Sequence, residues 1–470
     1  MSERTCDLLV IGAGPGGYTA ALRGARLGLR TVLVEKDDRP GGTCTLRGCI
    51  PTKALLQAAR VWELCRGGAR TFGVVPGEAA FDWSAVRRRQ EAVVRKSSLG
   101  VAKLLQDAGV TVVQGHGRLD GPGRVTVAGA EGTAAWRAER IVLAAGSRPA
   151  SLPGMTPDGE RIWTSDHLLA ADALPASLVI LGGGAVGVEF ADILSAFGVA
   201  VTLVEMLPRL LPLEEPECAE VVTAALRRRK VKVLAGHRAA DVATGPDGVQ
   251  VTLRPVAGGD PVTVSAERLL VAVGRRPSTG ELGLETVPEV VVDGRGFVQV
   301  DAHGQTAAAG LYAVGDIVAT PQLAHVAAAE ALAAVDHAAG RPRSPLDYDR
   351  IPSCVYTAPE VASVGLGEAA ARERGFAVGT AVYPFAALGK AAVLNAPHGL
   401  VKVVTDTEQG RVLGVHLAGA HATDLIGEAC AALGLGADLA AWSRVVHPHP
   451  TLSEGLQEAL QAAAGEALHG

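Results

Sequence analysis

Near the start of the chain a short apolar run, Cys6-Asp7-Leu8-Leu9-Val10-Ile11, stops abruptly at glycine. It is too short to span a bilayer or to act as the core of a secretion signal, and it predicts a buried strand. Gly12-Ala13-Gly14-Pro15-Gly16-Gly17 follows, then a helical pattern through Ala20 to Leu27, then a second apolar strand from Thr31 to Val34 that ends on Glu35. This order is a complete βαβ nucleotide-binding pattern. Gly12 allows the tight turn, Gly14 lets a pyrophosphate approach the backbone, Gly17 permits close packing of helix on strand, and Glu35 accepts from a ribose hydroxyl. A glycine-rich turn alone would say little. Here strand, helix and terminal acid all stand in place.

The pattern recurs. Leu178 to Leu181 predicts a strand, Gly182-Gly183-Gly184-Ala185-Val186-Gly187 the turn, Glu189 to Phe197 a helix, and Val201 to Val204 a second strand ending on Glu205. The interval from first glycine to acid is the same in both copies. One working site beside a decayed copy is the simpler alternative, but Gly182, Gly184, Gly187 and Glu205 are all retained, so two dinucleotide sites are expected. A carboxylate at Glu205 favours a free 2′-hydroxyl and repels a 2′-phosphate, which predicts NAD over NADP. Arg209, four positions on, is the residue that would soften that choice.

Each copy closes on a related strand and turn, Ile141 to Pro149 and Leu269 to Pro277, and a further strand, Gly310 to Val314, ends on Gly315-Asp316. From about residue 347 the pattern changes to α+β, with strands at Leu400 to Thr405 and Val412 to Ala418 and helices at Ala422 to Leu433 and Ala437 to Ala441. The predicted class is α/β: two Rossmann-like dinucleotide-binding domains and a C-terminal α+β domain. The expected boundaries are 1–150 for the first nucleotide domain, 151–278 for the second, 279–346 for a central segment completing the first site, and 347–470 for the last.

Composition narrows the partners. With 470 residues, 48% hydrophobic content and mean hydropathy +0.24, the chain can bury several cores. A net charge of −5 and a pI near 6.2 give no reason to expect nucleic acid or an anionic membrane. No stretch is long and apolar enough to insert. Seven scattered cysteines are not a secreted disulfide framework, so a cytoplasmic location is expected.

Two of those cysteines stand apart, placed where a loop is expected to become a helix. Cys44-Thr45-Leu46-Arg47-Gly48-Cys49 runs into Ile50-Pro51-Thr52-Lys53, and Pro51 suits the first turn of a helix. Cys49 is therefore expected at or near the positive end of that helix, where a thiolate is stabilised. Two buried cysteines or half a metal site are the alternatives. Zinc would need a second ligand cluster, and no second Cys pair or Cys/His cluster follows. A bridge over so short a loop adds little chain-entropy stabilisation, which favours redox exchange as its use.

On Gly41-Gly42-Thr43-Cys44 to Lys53, both glycine turns, Gly315-Asp316, Tyr356-Thr357-Ala358-Pro359-Glu360-Val361-Ala362 and His447-Pro448-His449-Pro450-Thr451-Leu452-Ser453-Glu454, the chain resembles the FAD-dependent pyridine nucleotide–disulfide oxidoreductases. Within them it is most similar to the dihydrolipoamide dehydrogenase branch, over essentially its whole length. The resemblance implies FAD in the first fold, contacted by Gly12, Gly14, Gly17, Glu35, Lys53, Gly117, Ala145, Gly146, Asp316, Leu323, Ala324 and His325. It implies NAD in the second, contacted by Gly182, Gly184, Gly187, Glu189, Glu205 and Gly274. It makes Cys44 and Cys49 the redox disulfide, Lys53 a flavin neighbour paired with Glu189, and His449 the acid/base, oriented by Glu454 and supplied by the second subunit of a homodimer. His447 is the local competitor for that role. The implied reaction is oxidation of protein-bound dihydrolipoamide with reduction of NAD+, and the implied partner is a lipoyl-bearing acyltransferase or related lipoyl protein of a 2-oxoacid dehydrogenase complex. Because the first fold begins so close to Met1, the lipoyl arm is expected on another chain.

Some positions leave the family pattern. Thr45-Leu46 stand where Leu-Asn is usual, Ala145 replaces a common Thr, and Pro448 replaces a small residue. Rival readings on the same scaffold are a mercuric reductase, which would carry a C-terminal Cys pair where this chain has no Cys after Cys430, and a glutathione-type reductase, which would place basic residues at Glu205. A flavin-binding docking subunit without catalysis is the rival of another class. The joint presence of Cys44, Cys49, Lys53, His449 and Glu454 argues against it.

Overall fold

The computed structural model describes residues 3–469, so the outermost residues of the first and last expected domains, 1 and 470, lie outside it. The chain forms two compact units, each assembled from separate stretches. One takes Met1–Ala54, Ser84–Ala150 and Gly274–Leu346; the other takes Leu55–Trp83, Ser151–Val273 and Asp347–Gly470.

In the first unit Thr111–Gln114, Thr31–Glu35, Arg4–Ile11 and Gly132–Leu143 lie side by side in parallel. Gly132–Leu143 then serves two partners along its other edge: its last residues pair parallel with Leu311–Ala313, its first antiparallel with Arg124–Gly129. Alternation along the first strand feeds two cores. Leu8 and Val10 join Ala20, Ala21, Ala331 and Ala334 of the helices Pro15–Arg26 and Ala324–Ala338, while Leu9 and Ile11 join Ile141, Leu282 and Val298 on the opposite face.

The second unit repeats the plan with Lys232–Ala235, Ala200–Glu205, Ser177–Leu181, Arg268–Val271 and Ile162–Trp163, all parallel. An antiparallel sheet of His237–Gly245, Gly248–Pro255 and Val262–Ala266 is inserted before Arg268–Val271. Its C-terminal part is a five-stranded antiparallel sheet in the order Ser353–Val355, Glu360–Gly365, Arg411–Gly419, Leu400–Asp406, Val378–Pro384, covered by the helices Ala422–Leu435 and Glu454–Ala463.

The class is thus α/β, with two Rossmann-like folds and an α+β portion. The helix expected at Ala437 to Ala441 shortens to Leu439–Trp442. Gly436, at φ +71°, ends the helix before it, and Asp438 starts the new turn by accepting the Ala441 amide at 2.7 Å. Among the described residues no helix is long and apolar enough to cross a membrane.

Candidate active site

The two glycine turns have the same geometry. Glu35 Oε2 accepts the Ala13 amide at 2.6 Å and its Oε1 the Asp37 amide at 2.9 Å. Glu205 Oε2 accepts the Gly183 amide at 2.6 Å and its Oε1 the Leu207 amide at 2.8 Å. Each acid therefore props the turn it was expected only to complement. In both copies a Cβ on the third glycine, Gly17 or Gly187, would collide with the carbonyl oxygen of the first, Gly12 or Gly182. The helices that follow, Pro15–Arg26 and Ala185–Ala196, begin at Gly14 and Gly184 in extended backbone, with no side-chain cap and no acid in the first turn. Their leading amides are left for an anion. Both cradles fit a dinucleotide.

Around the first cradle, Gly117 is buried against Ile11 and Val34, Ala145 and Gly146 continue the closing strand, and Leu323 caps the helix that starts at Ala324 and His325. Asp316 sits in the single turn Gly315–Ile317, hydrogen-bonded by the Ser147 hydroxyl. Arg275 donates to Ser147 Oγ at 2.6 Å and lies 3.8 Å from the Asp316 carboxylate, and buried Glu330 accepts the Gly315 amide at 2.7 Å. Sequence reading singles out none of Ser147, Arg275 and Glu330; the pairing of the strands Ser147–Pro149 and Arg275–Pro277 brings the first two to Asp316, and the helix Ala324–Ala338 brings Glu330 to the Gly315 amide. Around the second cradle, Glu189 is buried and accepts the Tyr356 amide at 3.0 Å, and Gly274 follows the strand Arg268–Val271 at φ +111°.

The cysteine pair departs from expectation in one respect. Cys44 lies in a short helix, Gly42–Arg47, rather than in a loop, and the break falls at Gly48. Cys49 opens the helix Cys49–Arg66, which carries Lys53 one turn on. Thr52 secures the start by donating its hydroxyl to the Gly48 carbonyl at 2.6 Å, and Thr45 is buried beneath Gly41. The two thiols are hydrogen-bonded to each other. That bond, then burial and the charge on Cys49, push the Cys44 thiol well above its ordinary range, with Lys53 pulling it down and Asp316 pushing it up. In the reduced pair Cys44 is the proton holder.

The two histidines of the C-terminal motif are in opposite situations. The His447 side chain is buried, with Nε2 at 2.9 Å from Glu428, which also accepts the Trp442 indole N–H at 3.0 Å. His449 is 79% exposed, with Nδ1 at 2.8 Å from Glu454 Oε1. Glu454 Oε2 accepts the Thr451 amide at 2.8 Å, and the residue opens the helix Glu454–Ala463. Burial raises the Glu454 pKa, but the Thr451 amide and the His449 ring outweigh it and hold the carboxyl below the usual range. An ionised carboxylate on Nδ1 fixes the tautomer and leaves Nε2 to a reacting group.

Residues 6–331 match the pyridine nucleotide-disulphide oxidoreductase family and residues 351–460 match the dimerisation domain of the same family. The chain belongs to the pyridine nucleotide-disulphide oxidoreductases. It is a flavoprotein oxidoreductase that uses FAD and NAD(H). Over 99% of its length it is 42% identical to the dihydrolipoyl dehydrogenase of Thermus scotoductus, covering 99% of that relative. It is 39% identical to the dihydrolipoyl dehydrogenase of Bacillus subtilis, over 98% of this chain and 99% of the relative. Among solved structures it superposes on LpdA from Mycobacterium tuberculosis with a TM-score of 0.88 at 30% identity, covering 97% of this chain and 99% of that one. It also superposes on the flavoprotein disulfide reductase RclA from Escherichia coli with a TM-score of 0.86 at 27% identity, over 98% and 100% of the two chains.

Proposed function

We propose that the protein is a cytoplasmic dihydrolipoyl dehydrogenase, oxidising protein-bound dihydrolipoamide to lipoamide with reduction of NAD+. The hydrogen-bonded Cys44–Cys49 pair, at the start of a helix and within electrostatic range of Lys53 and Asp316, is the observation that carries this reading. FAD, held at the first glycine turn, would supply two-electron transfer between the cysteine pair and NAD+.

The chain's own residues account for the thiol chemistry. His449 Nε2 takes the proton of one substrate thiol, and the thiolate attacks Cys44 Sγ, breaking the enzyme disulfide and releasing Cys49 as thiolate. The second substrate thiol then gives up its proton and closes the substrate disulfide, freeing Cys44, which takes up that proton as it leaves. Two electrons have moved from substrate to cysteine pair. Cys49 holds negative charge at the helix N-terminus while Cys44 keeps its proton. Glu454 orients His449, and Lys53 faces the flavin. Gly12, Gly14, Gly17, Glu35, Lys53, Gly117, Ala145, Gly146, Asp316, Leu323, Ala324 and His325 hold FAD; Gly182, Gly184, Gly187, Glu189, Glu205 and Gly274 hold NAD. The four segments 1–150, 151–278, 279–346 and 347–470 are the working domains in this reading. The enzyme acts as a homodimer in which His449 serves the cysteine pair of the second copy, and it receives its substrate from a lipoyl-bearing acyltransferase of a 2-oxoacid dehydrogenase complex.

The test is anaerobic turnover by the purified holoenzyme with NADH and lipoamide, against glutathione disulfide and NADPH. Lipoamide with NADH should far exceed every other combination. Flavin reduction without lipoamide turnover would keep the scaffold and reject the substrate.

A further inference from the structure

The helix Ala185–Ala196 is gripped by more than its own sheet. Asp192, one turn beyond Glu189 on the same face, has a side chain only 1% exposed and pairs with Arg60 Nη2 at 2.6 Å. It also pairs with Arg229 and accepts the Ala358 amide at 3.2 Å. Glu63 completes the group, 2.8 Å from Arg229 and 3.6 Å from Arg60. Two guanidiniums and two carboxylates balance in charge. Burial lowers the pKa of both arginines, with Glu63 opposing it.

The elements joined this way matter to the reaction. Arg60 and Glu63 lie on the helix Cys49–Arg66, roughly three turns beyond the redox cysteine. The segment that offers its Ala358 amide to Asp192 also offers its Tyr356 amide to Glu189. At the far end of the nucleotide helix its cap, Phe197, packs on Phe81 and Trp83 with ring centroids 5.0 and 5.5 Å away, and Phe81 meets Trp62 at 5.1 Å. In a chain with five Trp and seven Phe, four of those rings gather at this one clamp.

We propose that Asp192 is a positioning residue for hydride exchange with the nicotinamide cofactor: through Arg60 it fixes the NAD-binding helix, with Glu189, against the helix that begins at the redox cysteine. The proposal rests on the function argued above. A buried ion network can also be a mere fold staple, so the test must separate the two.

Asp192→Asn leaves a half-buried guanidinium uncompensated, so the charge-balanced double variant Arg60→Met, Asp192→Ser is measured beside it. The readouts on FAD-loaded protein are melting temperature, FAD content, NAD+ affinity by calorimetry, the two half-reactions followed separately at the flavin absorbance, and the primary isotope effect with 4-deuterated NADH. A helix displaced by a fraction of an ångström should slow hydride exchange by roughly tenfold or more and raise the isotope effect, while reduction by dihydrolipoamide stays within about twofold. The proposal is overturned if both half-reactions keep their rates. It is also overturned if both fall together with FAD loss, or if melting temperature drops with the isotope effect unchanged. Should the wild type take no electrons from dihydrolipoamide, the substrate assignment fails, yet NADH reduction of the flavin still decides the role of Asp192.

Discussion

Glu205 has two jobs, and separating them predicts how cofactor choice responds to mutation. Its carboxylate selects the 2′-hydroxyl in the sequence-based reading, which makes Glu205→Arg the obvious change toward NADP. In the structure the same carboxylate accepts the Gly183 and Leu207 amides at 2.6 and 2.8 Å, holding the turn that a pyrophosphate must approach. Bonds to a charged acceptor contribute about 1.5–3 kcal/mol each, and water recovers part of that, so losing both costs about 3 kcal/mol. If that cost falls on cofactor binding, NADH kcat/KM drops about 100-fold in Glu205→Ala. Glu205→Gln keeps one acceptor and should fall between. Glu205→Arg should not gain NADPH activity, because it removes the acceptor that the Gly183 and Leu207 amides share, and Arg209, the other nearby cation, is committed to the carbonyls of Pro212 and Glu214 at 3.0 and 3.2 Å. The assay is kcat/KM for NADH and NADPH across the three variants. NADPH overtaking NADH in Glu205→Ala or Glu205→Arg would refute this account of the turn.

Other consequences are as specific. Gly17→Ala should abolish FAD retention and Gly187→Ala should spare FAD but abolish NADH binding, read by flavin absorbance and calorimetry, since each Cβ collides with a carbonyl. His449→Ala should remove lipoamide turnover at unchanged melting temperature, whereas His447→Ala should keep turnover and lower the melting temperature, because the His447 ring is buried on Glu428. Buried Lys402 lies 2.6 Å from Glu215, 2.8 Å from Glu217 and 2.9 Å from Glu368. Lys402→Met strands three carboxylates together and should cost roughly 3–5 kcal/mol at pH 7 in denaturant unfolding. The lysine also sets an acid limit. Its hydrogen bond holds Glu368 below the usual carboxylate range, and it outweighs burial at Glu217 to do the same there. Stability from such depressed groups is complete above the unfolded value, about 4.3, and lost as pH falls through the folded values. Wild-type melting temperature should therefore fall from about pH 4 downward, with a shallower decline in Lys402→Met.

Most of the architecture was legible because it is encoded locally. The two glycine turns, their strands and their terminal acids announce themselves through short-range sterics, and the structure repeats one hydrogen-bond pattern at Glu35 and Glu205. The choice of His449 over His447 drew on the family resemblance and gains a physical reason only from the fold, which buries one ring on Glu428 and leaves the other exposed on Glu454. What stayed hidden depends on residues far apart in the chain. Lys402 sits in a strand where a lone lysine reads as a solvated side chain, and three acids at the starts of two helices, Pro216–Arg228 and Glu368–Glu373, are needed to give it a purpose. Asp192 likewise reads as an ordinary helix acid until Arg60 and Arg229 arrive from elsewhere. The loop expected at Cys44 became a helical turn because Gly48 can break the chain where Thr52 anchors the next helix.

The central claim is that electrons reach NAD+ through the Cys44–Cys49 pair, and Cys44→Ser tests it most directly. The FAD-loaded variant, mixed anaerobically with NADH and lipoamide, should reduce its flavin yet produce no dihydrolipoamide. Continued lipoamide reduction at a rate near wild type would contradict the account.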